Sequence, residues 1–140
     1  MKSTGTARWE GAAGKVSAAT GLFKDAPYTA KARFEGNAPG TTPEELIAAA
    51  HAACFAMAYN VGLTRAGITA RSIDAKAVVE VVLGPQGANI TSSELSCTIE
   101  APGADAAKVR ELGEGAKNNC PVSKALKGSV NITLDLNVKT

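Results

Sequence analysis

Aromatic side chains are scarce in this sequence, at 4% of 140 residues, and histidine occurs once. A hydrophobic core must then be built mainly from Ala, Val, Ile and Leu. Net charge is also small, +2, with basic residues interleaved among acidic ones. That pattern argues against nucleic acid or another polyanion as a partner. Long hydrophobic runs are missing as well. The longest, residues 46–57, is Ala-rich, interrupted by His51 and short of a membrane span, so it reads as a buried core helix with no membrane role. Residues 1–9 are polar and lack the apolar stretch of a signal peptide. The expectation is a cytoplasmic protein. No repeat, low-complexity tract or long linker divides the chain, and its length suits one domain, residues 1–140.

The order of elements predicts an α+β fold. Residues 5–11, 15–20 and 28–36 alternate β-branched or aromatic residues with polar ones and read as a three-stranded antiparallel meander. Residues 37–40, Asn-Ala-Pro-Gly, read as a loop. A helix start follows, with Thr42 as N-cap, Pro43 at the first helical position, Glu44 and Glu45 at the positive end, and a Thr42/Glu45 capping box. This helix runs to about Arg65, with Gly67 near its end. Residues 72–83 and 89–101 form a second strand pair. Asp105 caps a helix over 106–118 that is weakened by Gly113 and Gly115, and a short helix at 121–127 and a last strand at 129–138 complete the order βββ-α-ββ-αα-β.

Three cysteines occur. In a reducing compartment a pair is more often catalytic or metal-binding than structural. Cys54, in the middle of the long helix among small apolar residues, taken alone reads as a packed core thiol. Cys120 stands at a helix break before Pro121, at the start of the short helix, where backbone N–H groups favour a thiolate. The two fit an attacking and a resolving thiol. Cys97 shares a strand face with Leu95 and Ile99 and reads as core.

The segment Thr42-Pro43-Glu44-Glu45-Leu46-Ile47-Ala48-Ala49-Ala50-His51-Ala52-Ala53-Cys54-Phe55 closely resembles the helix motif of the OsmC/Ohr family (osmotically inducible protein C and organic hydroperoxide resistance protein). Asn119-Cys120-Pro121-Val122-Ser123 resembles that family's second cysteine motif. Ala32-Arg33-Phe34-Glu35-Gly36 resembles the strand that carries the active-site arginine in the OsmC-like branch, and Ala7-Arg8-Trp9-Glu10-Gly11 its first strand. The resemblance covers essentially the whole chain. It implies an intertwined homodimer with central long helices wrapped by sheets. It also implies a thiol peroxidase that reduces organic hydroperoxides in oxidative or osmotic stress defence, regenerated by a dithiol such as a dihydrolipoyl protein, with no metal, haem or flavin cofactor. By motif, Cys54 matches the peroxidatic cysteine, Cys120 the resolving cysteine, Arg33 the thiolate-stabilising arginine and Glu44 the carboxylate that holds it. Arg8, also on an N-terminal strand, is the rival arginine.

The chemistry has reasons for these residue types. A free thiol is mostly protonated at neutral pH and burial raises its pKa further. A nearby arginine, always charged and with donors in a fixed plane, offsets this. An apolar mouth suits alkyl peroxides, and Ile47, Phe55, Met57 and Leu126 are candidate lining residues. Glu44 and Cys54 are ten residues apart, roughly 15 Å along one helix. If both serve one arginine, one of them comes from a second subunit. Otherwise Glu44 is only a helix-end acid and Arg33 a solvated strand arginine paired with Glu35. His51, three residues before Cys54, reads as a hydrogen-bonded interior or interface histidine in preference to a Cys-His pair. Two competing readings are a metal site made by Cys54, Cys120 and His51, whose scattered spacing matches structural zinc poorly, and a non-catalytic dimer that binds a lipid-like molecule.

Overall fold

A computed structural model describes residues 1–36 and 38–140. The chain divides into two units, residues 1–46 and 47–140.

In the first unit, β1 (Gly5–Glu10), β2 (Ala13–Ala18) and β3 (Ala26–Thr29) form an antiparallel sheet in that order. Gly14 leaves room at its centre for the Tyr28 and Trp9 rings, which meet over it with centroids 5.5 Å apart; a Cβ there would crowd both. The predicted third strand, 28–36, is mostly not a strand. It ends at Thr29, whose hydroxyl accepts the Ala32 N–H at 3.0 Å and caps a short helix, α1 (Ala30–Glu35). Gly36, at φ 75°, closes that helix in the left-handed conformation. Ala, Lys and Arg are strong helix formers, and a cap at one end and a glycine at the other outweigh the strand-like alternation between them. Among the described residues the fold thus has four helices, one more than the sequence pattern predicts. In the predicted loop 37–40, Asn37 lies outside the described residues.

Helix α2 (Pro43–Arg65) begins in the first unit and continues into the second. Thr42 Oγ1 accepts the Glu45 N–H at 3.0 Å, as expected of the N-cap. The Glu45 carboxylate takes the Thr41 hydroxyl at 2.6 Å instead of the Thr42 N–H, so the predicted capping box is only half formed. At the other end the Ile68 N–H bonds the Leu63 carbonyl across Gly67, at φ 73°. By length and composition α2 is apolar enough to cross a bilayer. It instead supplies the core: His51, Phe55, Tyr59 and Leu63, spaced four apart on one face, are all fully buried.

The second unit contains a three-stranded sheet with β5 in the middle. β4 (Ser72–Gly84) pairs antiparallel with β5 (Gly87–Glu100), and β6 (Asn131–Lys139) pairs parallel to β5. Leu95, Cys97 and Ile99 alternate along β5 and pack with Phe55, Tyr59 and Leu63. Cys97 is therefore core, as its strand position predicts. Helix α3 (Ala106–Asn119), capped by Asp105 Oδ1 on the Lys108 N–H at 2.9 Å, adds Val109 and Ala116. Each fully buried large side chain contributes about 1.5–3 kcal/mol. Gly113 is the price of close approach: a Cβ there would lie 2.5 Å from Leu136 Cδ1 and 3.1 Å from Tyr59 Cζ. Helix α4 (Pro121–Leu126) follows and leads into β6.

Candidate functional site

Cys120 is both the last residue of α3's cap and the N-cap of α4. Pro121, which lacks an N–H, suits the first helical position. The next two N–H groups are then free to point back toward sulfur. The Ser123 N–H donates to Cys120 Sγ at 3.4 Å, and the Val122 N–H acts to lower the pKa of both thiols. The two thiols lie close enough to shift each other's pKa, and both are free. The first turn of α4 thus gathers both sulfurs, although their positions lie far apart in sequence.

The pair is electrostatically unequal within the chain. Burial raises the Cys54 pKa, and hydrogen bonding with Cys120 raises it further, outweighing the Val122 N–H. Burial also acts to raise Cys120. That push is overcome by hydrogen bonds from Cys54, from the backbone and hydroxyl of Ser123 and from Val122, so the Cys120 pKa is lowered. The second unit alone therefore favours a thiolate at Cys120 first. Cys97 differs from both, because burial pushes its pKa to about 11.

His51 is fully buried behind this pair. Its Nδ1 lies 2.7 Å from Ser93 Oγ and its Nε2 lies 2.8 Å from Ser123 Oγ. Burial lowers its pKa, which leaves the ring neutral at neutral pH. With both nitrogens engaged by serine hydroxyls, His51 is the hydrogen-bonded interior residue expected of it. Sequence reasoning missed Ser93 and Ser123 altogether. The serine of the Cys-Pro-Val-Ser motif was the one local signal for Ser123.

Cys54 opens on a groove of about 520 Å³, whose walls include Met57, Val61, Leu112, Ala116 and Pro121. Met57 is thus placed on the groove with Cys54. Phe55 is one position round the helix and lies in the core, 5.6 Å from the Tyr59 ring. Ile47 and Leu126 are half-buried and do not line the groove. The α2 face opposite the buried stripe leaves Ala50, Ala53, Met57 and Val61 exposed.

In the first unit, Glu44 holds Arg33. Arg33 Nε donates to both carboxylate oxygens, at 3.0 and 3.1 Å, and Nη2 donates to Oε1. The Glu44 side chain is 6% exposed and that of Arg33 31%. Arg33 also lies over the Phe34 ring, 5.2 Å from its centroid. The alternative partner Glu35 faces Lys31 instead, at 3.9 Å, because α1 is a helix and places i and i+4 together. Among the described residues Arg8 pairs with Glu10, and both side chains are exposed. Arg33 and Glu44 belong to the first unit, and Cys54 and Cys120 to the second.

The family model for OsmC-like protein matches residues 35–135. The chain is 44% identical to the peroxiredoxin OsmC of Escherichia coli strain K12, over 97% of this chain and 96% of that protein. It is 34% identical to an organic hydroperoxide resistance protein of Xanthomonas axonopodis pv. citri, over 69% of this chain and 67% of that protein. The structure of the organic hydroperoxide resistance protein OhrB of Bacillus subtilis superposes with a TM-score of 0.77 at 27% identity, covering 98% of both chains. That of an organic hydroperoxide resistance protein from Elizabethkingia anophelis superposes at 0.83 and 26% identity, covering 99% of this chain and 97% of the other. With the long-helix cysteine, the Cys-Pro-Val-Ser turn and the whole-chain match in agreement, this chain belongs to the OsmC family.

Proposed function

We propose that this protein is a two-cysteine thiol peroxidase that reduces organic hydroperoxides to alcohols. The observation that carries the reading is the pairing of the Cys54 and Cys120 thiols at the first turn of α4, beside an apolar groove. The relatives named peroxiredoxin OsmC and organic hydroperoxide resistance protein support it.

The Cys54 thiolate attacks the O–O bond, the alkoxide takes a proton and leaves as alcohol, and Cys54 becomes a sulfenic acid. The Cys120 thiolate then attacks the Cys54 sulfur, forming the S–S bond as the S–O bond breaks, and the departing hydroxide takes a proton from solvent to leave as water. A dithiol, of the dihydrolipoyl type, restores both thiols by exchange. A reducing cytoplasm suits that cycle.

The raised pKa of Cys54 within its own unit means that it needs a cation to react at neutral pH. Arg33 fills that role, held in one orientation by Glu44. Since Glu44 and Cys54 are ten residues apart on α2, roughly 15 Å by helical rise, the arginine that meets Cys54 comes from a second copy. The exposed face of Ala50, Ala53, Met57 and Val61 supports a homodimer paired through α2. Ile47 and Leu126 remain candidates to contact the peroxide's alkyl group from that second copy.

Cumene hydroperoxide consumption with dihydrolipoamide as reductant tests the reading. Cys54→Ser abolishes turnover. Without dithiol, Cys120→Ser retains one reduction per thiol and leaves a Cys54 sulfenic acid that dimedone traps, seen as an adduct by mass spectrometry. Parent-rate consumption by Cys54→Ser overturns the proposal.

A further inference from the structure

We infer that Ser93, His51 and Ser123 form a buried relay that holds Cys120 ready to attack, with His51 a positioning residue acting through the Ser123 hydroxyl. The inference rests on the peroxidase reading only for what Cys120 does. The relay itself rests on geometry.

Three contacts connect it: Ser93 Oγ to His51 Nδ1 at 2.7 Å, His51 Nε2 to Ser123 Oγ at 2.8 Å, and the Ser123 backbone N–H to Cys120 Sγ at 3.4 Å. His51 and Ser93 are fully buried and Ser123 is 3% exposed. The Ser123 hydroxyl also stands near enough to the Cys120 sulfur to help lower its pKa.

Each serine has one hydroxyl proton, so the directions of these bonds are linked. When Cys120 is a thiolate, Ser123 donates its proton to sulfur and must accept at Oγ. His51 then carries its proton on Nε2 and donates it to Ser123, while Nδ1 accepts from the Ser93 hydroxyl. When Cys120 is a thiol donating to Ser123, the whole chain reverses: Ser123 donates to Nε2, and Nδ1–H donates to Ser93. A neutral imidazole serves both states by exchanging tautomers, so no charge has to enter the core. The thiolate thereby receives two donors from one residue, the N–H and O–H of Ser123. The groups facing Cys120 and Ser123 from neighbouring elements are the Cys54 thiol and His51 on α2, Lys117 on α3, and Lys127 just beyond α4, the two lysines lining a cleft that reaches Ser123.

The test is alkylation of Cys120 by iodoacetamide across pH, in the full chain carrying Cys54→Ser, with sites assigned by mass spectrometry. It requires no peroxide, so it still reports on a chain that lacks peroxidase activity. Adding Ser123→Ala raises the midpoint of the Cys120 profile by about one pH unit, a roughly tenfold slower reaction at neutral pH, the scale of one charge-assisted hydrogen bond. Ser123→Thr, which keeps the hydroxyl, restores it. His51→Leu shifts the profile in the same direction and His51→Gln, which keeps a donor toward Ser123, reverses part of the shift. Should His51→Leu not fold, Ser93→Ala tests the far end, with a smaller shift in the same direction. A Ser123→Ala profile that coincides with the parent overturns the relay, as does a normal profile in both the His51→Leu and Ser93→Ala chains.

Discussion

Glu44 grips Arg33 side-on: both carboxylate oxygens face Nε, at 3.0 and 3.1 Å, and one of them also takes Nη2. This geometry leaves the rest of the guanidinium fork for another anion, such as a thiolate. Glu44→Gln keeps the shape and removes the charge. It lowers kcat/KM for cumene hydroperoxide by about tenfold or more, the scale of one charged hydrogen bond. Arg33→Lys, which lacks the planar fork, lowers it at least as far. Arg8→Ala, which removes only an exposed pair, leaves it at the parent value. Equal losses in Arg8→Ala and Arg33→Lys would reverse the assignment of the arginine.

Mixed dimers separate a shared site from a site within one chain. Arg33→Ala and Cys54→Ser chains are each inactive alone. Unfolded together and refolded, half of the dimers combine one of each and regain one intact site of two, so about a quarter of parent activity returns. A site built inside one chain returns none. Met57→Glu with Val61→Glu places charge on the exposed α2 face, and on the proposed homodimer sedimentation velocity is expected to find dimer for the parent and monomer for this variant.

Acid should loosen this protein through His51. Burial holds its folded pKa below the ordinary 6.5, so the unfolded chain takes up the proton first. The corresponding stability is fully present above pH 6.5 and is lost as pH falls from there through the lower folded value. Urea midpoints at pH 7.5 and 5.5 measure the loss, and His51→Gln flattens that part of the difference.

Gly113→Ala sets helix propensity against packing. In an open helix position the change stabilises by about 1 kcal/mol. Here the methyl meets Leu136 and the Tyr59 ring, and overpacking costs about 1–3 kcal/mol. A lower urea midpoint than the parent is expected, with an unchanged m-value.

Local signals carried far in this sequence. The start of α2 was legible because Thr42, Pro43 and the two glutamates act within one turn, and β6 because five alternating apolar positions define a face. Helix α1 was not, since six residues are too few for helical periodicity to outweigh an alternation that a strand shares. Only Thr29 and Gly36 at its ends distinguish the two. In the site, the cysteines and the Arg33–Glu44 pair were legible through motif. The partners of His51 were not, because Ser93 and Ser123 stand 42 and 72 residues away in sequence and nothing in the residues around His51 selects them. Phe55 was misplaced onto the substrate side by its adjacency to Cys54, when a one-residue step on a helix turns the side chain by about 100°.

The parallel pairing of β6 with β5 sets an order of events during folding. The β4–β5 hairpin closes over Gly84 and Gly87, a local step that brings Cys97 into place early. β6 pairs Asn131 with Ser92 and Lys139 with Glu100, so it docks only after α3 and α4 have crossed the sheet, and such distant contacts form late. Cys120 travels in that crossing segment. On the peroxidase reading proposed above, a chain that meets an oxidant between hairpin closure and β6 docking carries Cys54 without its resolving partner. Newly made protein is then expected to be over-oxidised at Cys54 more readily than folded protein, which a peroxide pulse during refolding followed by mass spectrometry of Cys54 would measure.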